Sequence, residues 1–342
     1  MAAPDCVMSG RGCGSIVAAL WSSAADSQPR IAPMIALTRS PLAGILFLVA
    51  GIAMFAVQDL IIKQLSATYP LSQAMVIRSL VAMPLIYGLV LASGDARRIF
   101  APGWGWLVLR GVILFLCYAA YYVAMAALPL ATTVALYFSA PLMIVALSVM
   151  VLGDRVSLPR WAAVAVGFGG VLLMLRPGSA LFDWAAVLPV LSGLCYAVSM
   201  VLARLQGSRH SAAVLAFHGN LVFLVGAVAL ATLLGPESAG SVTHAGLAFL
   251  TRAWVMPLWQ DLALLGFCGV IAAMGLTLLN EAYRIAPSAT VAPFEYTALL
   301  WGVIYGWAFW GDWPDAIGWA GICIIVGAGL FLLLRDPATQ PA

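Results

Sequence analysis

Residues 128–154 read LPLATTVALYFSAPLMIVALSVMVLGD, and residues 285–312 read IAPSATVAPFEYTALLWGVIYGWAFWGD. In both stretches a proline (Pro129, Pro287) leads into a Thr-Val pair (Thr133-Val134, Thr290-Val291), and the apolar run that follows closes on Gly-Asp (Gly153-Asp154, Gly311-Asp312). Asp154 and Asp312 lie 158 residues apart, and the same shift carries Trp161 onto Trp319, Gly169 onto Gly327 and Leu172 onto Leu330. An internal repeat of this length sets the architecture. The chain is a duplication of one half-molecule.

Composition gives the setting. Charged residues make up 8% of the chain and apolar residues 64%, with a mean hydropathy of +1.04, against about 25% charge in a soluble domain. Ten apolar runs are each long enough, or nearly so, to cross about 30 Å of hydrocarbon as helix. They fall at about 42–65, 71–93, 104–126, 130–152, 158–176, 184–204, 212–235, 259–283, 288–310 and 315–334. A β-barrel would show strands of about 10 residues with alternating polarity instead. The expected fold is therefore an all-α membrane protein of ten transmembrane helices.

Orientation follows from the basic residues of the short loops. With the N-terminus in the cytoplasm, Arg11, Arg30, Arg39, Arg97, Arg98, Arg155, Arg160, Arg204, Arg209, Arg284 and Arg335 lie inside, and only Lys63, Arg176 and Arg252 lie outside. Both termini are expected in the cytoplasm. Halves of five helices each must then enter the bilayer from opposite sides, as two inverted five-helix repeats, a plan that places a solute site near mid-membrane between them.

The domain organisation expected is a disordered leader over 1–40, with Met34 an alternative start, a first repeat over 41–176 and a second over 183–335. The first repeat also echoes the second at its start, Phe55-Ala56-Val57 and Lys63 against Tyr196-Ala197-Val198 and Arg204, at a shift of 141. The one long loop, 235–258, is expected outside, with Ala245 to Trp259 lying along the interface as an amphipathic piece. Tryptophans gather at the run ends (Trp104, Trp106, Trp161, Trp184, Trp254, Trp259, Trp307, Trp310, Trp313), the aromatic belt of a membrane protein. Cys117, Cys195, Cys268 and Cys323 fall inside apolar runs and are read as small packing residues, not as a disulfide framework.

Charge within hydrocarbon costs at least about 2.5 to 3.5 kcal/mol per residue, which makes each intramembrane charge a candidate for function. Asp59 and Arg78 both lie about 10 Å from the outer surface by helical rise. Arg78, seven residues into its run, presents a fork of donors suited to a carboxylate or phosphate, and Asp59 is a partner for it. Lys63, four residues after Asp59 on the same helix face, is placed to pair with it. Arg110 also lies within a helix. On the inner side, His218, Asn220, Asn280, Glu281 and Glu295 form a second polar layer, and Glu295, two residues after Pro293, is the candidate to bind and release a proton. Tyr122, Tyr137, Tyr196 and Tyr296, with Tyr118 and Tyr121, offer apolar bodies with polar tips that can line a passage and stack on planar solutes. Helix packing is the competing role for each tyrosine, and a satisfied interhelical hydrogen bond the competing role for Glu295 and His218. Gly167, Gly169, Gly170, Gly327 and Gly329 are read as sites of close helix approach.

Absent motifs narrow the function. Lys63 is the one lysine, so there is no phosphate-binding G-x-x-x-x-G-K-[ST] loop. Three scattered histidines (His210, His218, His244) make no metal motif, and no G-x-S-x-G elbow occurs. No cofactor, metal or nucleic-acid partner is expected, and no enzyme chemistry.

Three features together resemble the EamA family of the drug/metabolite transporter superfamily: ALPLATTVALYFSAPL followed by GDR, AYRIAPSATVAPFEY followed by GD, and FAVQDLIIKQLSATYP with VIRS at the start. The resemblance covers residues 41–335, with Gly-Asp where many members have Gly-Glu. It implies a secondary carrier that moves a small organic metabolite across the inner membrane by alternating access. The Asp59, Lys63, Tyr69-Pro70 and Arg78 constellation is similar to the branch that includes riboflavin and S-adenosylmethionine carriers. The solute is then a planar, anionic or zwitterionic molecule (an amino-acid derivative, a flavin or an S-adenosylmethionine-like compound). Arg78, Asp59, Tyr122, Tyr137, Tyr196 and Tyr296 contact it, and Glu295, Lys63 and His218 serve coupling or gating, with proton coupling one option. A membrane enzyme acting on a lipid-linked substrate and a non-transporting scaffold are the alternatives. Monomer and homodimer are both compatible with the sequence.

Overall fold

A computed structural model of the chain describes residues 41–152, 158–175, 183–206, 212–234, 244–285 and 292–334. The leader, Gly153-Asp154, the join 176–182 and the Pro287 and Thr290-Val291 elements of the second repeat lie outside the described residues. Among those described there is no strand. Twelve helices follow one another: α1 (Pro41–Leu65), α2 (Leu71–Ala92), α3 (Trp104–Ala127), α4 (Leu130–Tyr137), α5 (Ala140–Leu147), α6 (Leu158–Leu175), α7 (Val187–Gln206), α8 (Ala212–Leu233), α9 (Ala245–Thr251), α10 (Trp259–Ile285), α11 (Thr297–Trp310) and α12 (Ala316–Leu334).

Proline sets several of the boundaries. Pro70 and Pro129 stand in extended conformation immediately before α2 and α4, since a proline lacks the N–H that an earlier turn would use and disfavours helix in the residue before it. Leu128 is accordingly extended. Pro141, in the first turn of α5, accounts for the next break: the helix that begins at Leu130 stops at Tyr137, turns through Phe138 and Ser139, and resumes at Ala140. A short 3-10 turn, Ala292–Tyr296, stands in the corresponding place of the second repeat before α11.

Seven stretches among the described residues are long and apolar enough to cross a membrane: Leu42–Leu65, Leu71–Ala92, Trp104–Ala127, Leu130–Val151, Trp184–Leu202, Ala213–Leu233 and Trp259–Leu279. The other three predicted runs appear as shorter helices, α6, α11 and α12. For α11 the reason is the 3-10 turn, which takes the first part of that run out of regular helix.

Helix α1 packs on α10 and α11, α2 on α8 and α10, α3 on α7 and α8, α4 on α7 and α11, α5 on α7, and α6 on α12. Close approach in the last pair rests on Gly170, where a Cβ would lie 2.8 Å from Ile324. The outer surface is apolar, with leucine, valine and phenylalanine exposed along most of the long helices, a distribution that needs lipid rather than water around it. Trp104, Trp106, Trp161, Trp184, Trp254, Trp259, Trp307 and Trp313 are exposed as the belt reading expects, while Trp310 is turned onto Lys63. The four described cysteines are free.

The loop 235–258 is described from residue 244 onward. Its described residues form the seven-residue α9 and then a non-helical segment over 252–258, whose hydrogen bonds go to the α1–α2 turn and to the first turn of α2. Arg252 Nη1 donates to the Ser66 carbonyl at 2.7 Å, Trp254 Nε1 to Ser72 Oγ at 2.9 Å, and the Gln73 amide pairs both ways with the backbone of Val255.

Candidate functional site

The α4–α5 break and the 3-10 turn Ala292–Tyr296 come together in space. Phe138, at the break between α4 and α5, faces the Tyr296 ring of the 3-10 turn with centroids 4.9 Å apart. From there aromatic rings continue without interruption: Tyr137 lies 6.0 Å from Phe138, 5.8 Å from Tyr196 and 5.4 Å from Tyr121, and Tyr121 lies 5.7 Å from Tyr122. Tyr118 joins Tyr122 to Phe223 of α8. The resulting ladder links α3, α4, α7, α8 and the 3-10 turn through the middle of the helical stack. Neighbouring rings stand tilted or edge to face, the arrangement their quadrupoles favour.

Arg78 stands at one flank of this ladder. It is 5% exposed, and its guanidinium carbon lies 5.3 Å from the centre of the Phe223 ring. Its Nε and Nη1 are buried and make no hydrogen bond. A cation–π contact is worth at most about 2 kcal/mol when desolvated, whereas each orphaned buried donor costs about 1 to 3 kcal/mol. The aromatic contact alone does not settle this charge. Asp59 lies within electrostatic reach of Arg78, but its carboxylate accepts a hydrogen bond from Tyr121 Oη at 3.0 Å and makes no ion pair with the arginine. Its neighbour Gln58 donates to Tyr122 Oη at 2.6 Å and leaves its own Oε1 unbonded.

Other expected residues are placed differently. Lys63 does not pair with Asp59: its ammonium donates to the carbonyls of Met125 and Leu128, which the end of α3 leaves free, and lies 5.1 Å from the Trp310 ring. Helix ends present unpaired carbonyls and a negative dipole end, and a lysine within reach satisfies both. Tyr122 is fully buried, and the Tyr296 hydroxyl is turned toward Gly329 of α12, where no room for a Cβ remains. His218 is buried among Phe100 and Phe217, with Nδ1 3.0 Å from the Val214 carbonyl one turn earlier. Asn220 joins α8 to α2 through a 3.0 Å bond to the Ser79 carbonyl. Glu295 is half-buried and within electrostatic reach of Tyr137, Tyr196 and Tyr296. The Asn280 side chain lies outside the described residues.

Phe223, Gln58 and Ser199 join the site without being among the residues expected from the sequence. Gln58 carried a signal, an amide in mid-run beside Asp59. Phe223 carried none, being one aromatic in an apolar helix. Above the site, Tyr69 Oη donates to Asp261 Oδ2 at 2.6 Å and accepts from the Leu258 N–H. That carboxylate holds the Tyr69 hydroxyl above its ordinary range, so the bond persists at physiological pH.

Residues 42–176 match the model of the EamA-like transporter family. A riboflavin transporter of Rhizobium johnstonii is 33% identical over 228 residues, spanning 66% of this chain and 69% of that one. The chain belongs to the EamA-like transporter family. It is a multi-pass membrane transporter. Further relatives are a pseudopaline exporter of Pseudomonas aeruginosa, 28% identical over 84% of this chain and 95% of that one, and an S-adenosylmethionine uptake transporter of Rickettsia bellii, 24% identical over 67% of this chain and 72% of that one. In this EamA-like chain the ladder and its charges are built from residues of both halves of the sequence.

Proposed function

We propose that this transporter carries a planar, anionic or zwitterionic metabolite across the inner membrane by alternating access, and that it is a carrier rather than an enzyme. The passage runs between two inverted five-helix halves, residues 41–176 and 183–335, with both termini in the cytoplasm. The observation that carries the reading is the buried guanidinium of Arg78, two of whose nitrogens lack a partner beside a ladder of tyrosines. A carboxylate or phosphate docks on such a fork through paired charge-assisted bonds, and aromatic faces accept a flat ring system.

Helix pairing supports the two-fold arrangement. Exchanging α1 with α7, α2 with α8, α3 with α10, the α4–α5 pair with α11 and α6 with α12 maps the principal packed pairs named above onto one another, while the packing of α9 on α3 has no counterpart. Asn220 and Ser79, which bond to each other, are themselves 141 residues apart, the shift that relates the starts of the repeats. Relatives named for riboflavin and S-adenosylmethionine favour a solute with a planar aromatic ring.

Screening metabolites for stabilisation of the purified protein identifies the solute, since a ligand at concentration [L] stabilises by RT ln(1 + [L]/Kd). With that solute, Arg78→Ala is expected to lower uptake into proteoliposomes by about 10- to 100-fold, the loss of a charged hydrogen bond worth about 1.5 to 3 kcal/mol, while the variant keeps its monodispersity and helix content. Wild-type uptake by Arg78→Ala removes the arginine from the site.

A further inference from the structure

A second arginine lies along the same ladder. Arg110 is on α3, eight residues before Tyr118, about 12 Å by helical rise. Its Nε donates to Ser199 Oγ at 3.1 Å, and Ser199 is fully buried on α7, one turn from Tyr196. Tyr196 meets Tyr137, Tyr137 meets Tyr121, and the Tyr121 hydroxyl reaches Asp59. One continuous run of rings therefore leads from Ser199 and Arg110 to the level of Asp59 and Arg78.

Both arginines lack a carboxylate within ion-pair distance among the described residues. One serine hydroxyl satisfies one of five N–H donors of a guanidinium. An unneutralised charge in the membrane interior is costly enough that it is kept where a passing ion uses it. Ser199 holds Nε, and α7 thereby orients the guanidinium of Arg110.

We propose that Arg110 and Ser199 form a second anion subsite, which takes the carboxylate or phosphate of the solute after it leaves Arg78. This extends the reading of Arg78 as a solute contact and rests on it. Alternating access then moves the anionic end from one guanidinium to the other while the planar body slides along the tyrosines. Neither end of the path leaves the anion without a cation.

The test needs no solute. In the full-length protein, with its native cysteines replaced and reconstituted in liposomes, Ser199→Cys supplies one thiol beside Arg110. Its labelling rates with an anionic and a cationic methanethiosulfonate reagent are each divided by the rate with a free thiol in solution. The anionic reagent is expected to be favoured by on the order of tenfold. That preference is expected to vanish with Arg110→Gln and to persist with Arg110→Lys and with Arg78→Ala. Equal normalised rates, a preference that survives Arg110→Gln, or no labelling by either reagent would each overturn the subsite, the last because no aqueous anion would reach it. A charge-blind thiol together with transport lost in Arg78→Ala removes the second subsite alone. A charge-selective thiol with wild-type transport in Arg78→Ala removes the reading of Arg78 instead.

Discussion

Each ionisable side chain in the bundle has been given a different solution to the same problem, the cost of charge away from water. Lys63 is spent on the open carbonyls at the end of α3, Asp59 on a tyrosine hydroxyl, and Arg78 on an aromatic face that leaves two donors unbonded. The first of these leaves the lysine satisfied by protein carbonyls, and the last is the charge to which the proposed function assigns the solute. Glu295 lies within electrostatic reach of Tyr137, Tyr196 and Tyr296, and in the proposed carrier a proton taken or released there changes the charge of the passage. Glu295→Gln is expected to abolish solute accumulation driven by an imposed pH gradient while leaving solute exchange at equal pH within about twofold, because exchange requires no net proton movement. Accumulation that responds to the gradient as in wild type would exclude Glu295 as the coupling residue.

At the level of elements, the broken helices decide where a site can exist. A break frees backbone groups, and these are tolerated at membrane depth only where protein or a polar cavity receives them. The α4–α5 break is received by α7 at Gly193, where a Cβ would lie 3.0 Å from the Tyr137 carbonyl and 3.3 Å from the Ala140 N–H nitrogen. Gly193→Val therefore forces backbone apart at the point that positions Tyr137 and Phe138. We expect a loss of about 1 to 3 kcal/mol, the usual cost of overpacking, read as a lower thermal midpoint together with reduced uptake. Gly169→Ala in α6, where a Cβ would meet nothing within 4 Å, is expected to be neutral or to stabilise by up to about 1 kcal/mol. Equal effects from the two substitutions would mean that α7 does not support the break.

The described residues form a stack of helices with an apolar outer surface. The chain's basic residues are distributed eleven to three between the two sets of loops, the asymmetry on which the proposed cytoplasmic placement of both termini rests. Tags added at residue 1 and residue 342 are expected to be modified by a membrane-impermeant reagent only after permeabilisation of the cytoplasmic membrane. Modification of one tag in intact cells and not the other would make the number of spans odd and remove the inverted relation of the halves. The strap over residues 252–258 closes on the α1–α2 turn through Arg252 and on the first turn of α2 through Trp254 and Val255. Those bonds therefore tie the second half of the chain to the first on the side of Arg78.

Membrane class was legible in the amino-acid order, because span length is a property of a segment by itself, whereas the break between α4 and α5 lay inside a run read as one continuous helix. The candidacy of Asp59, Arg78 and Glu295 was legible too, since a charge in an apolar run is conspicuous without knowing its neighbours. Which partner each charge takes was decided only by tertiary structure: Asp59 with Tyr121 rather than Lys63, Arg78 over Phe223, Arg110 against Ser199, and the Tyr296 hydroxyl toward Gly329. Helices that are apolar on every side carry no periodicity to separate the face toward lipid from the face toward protein. Their rotation, and with it every contact in the site, is set by how the helices pack on one another.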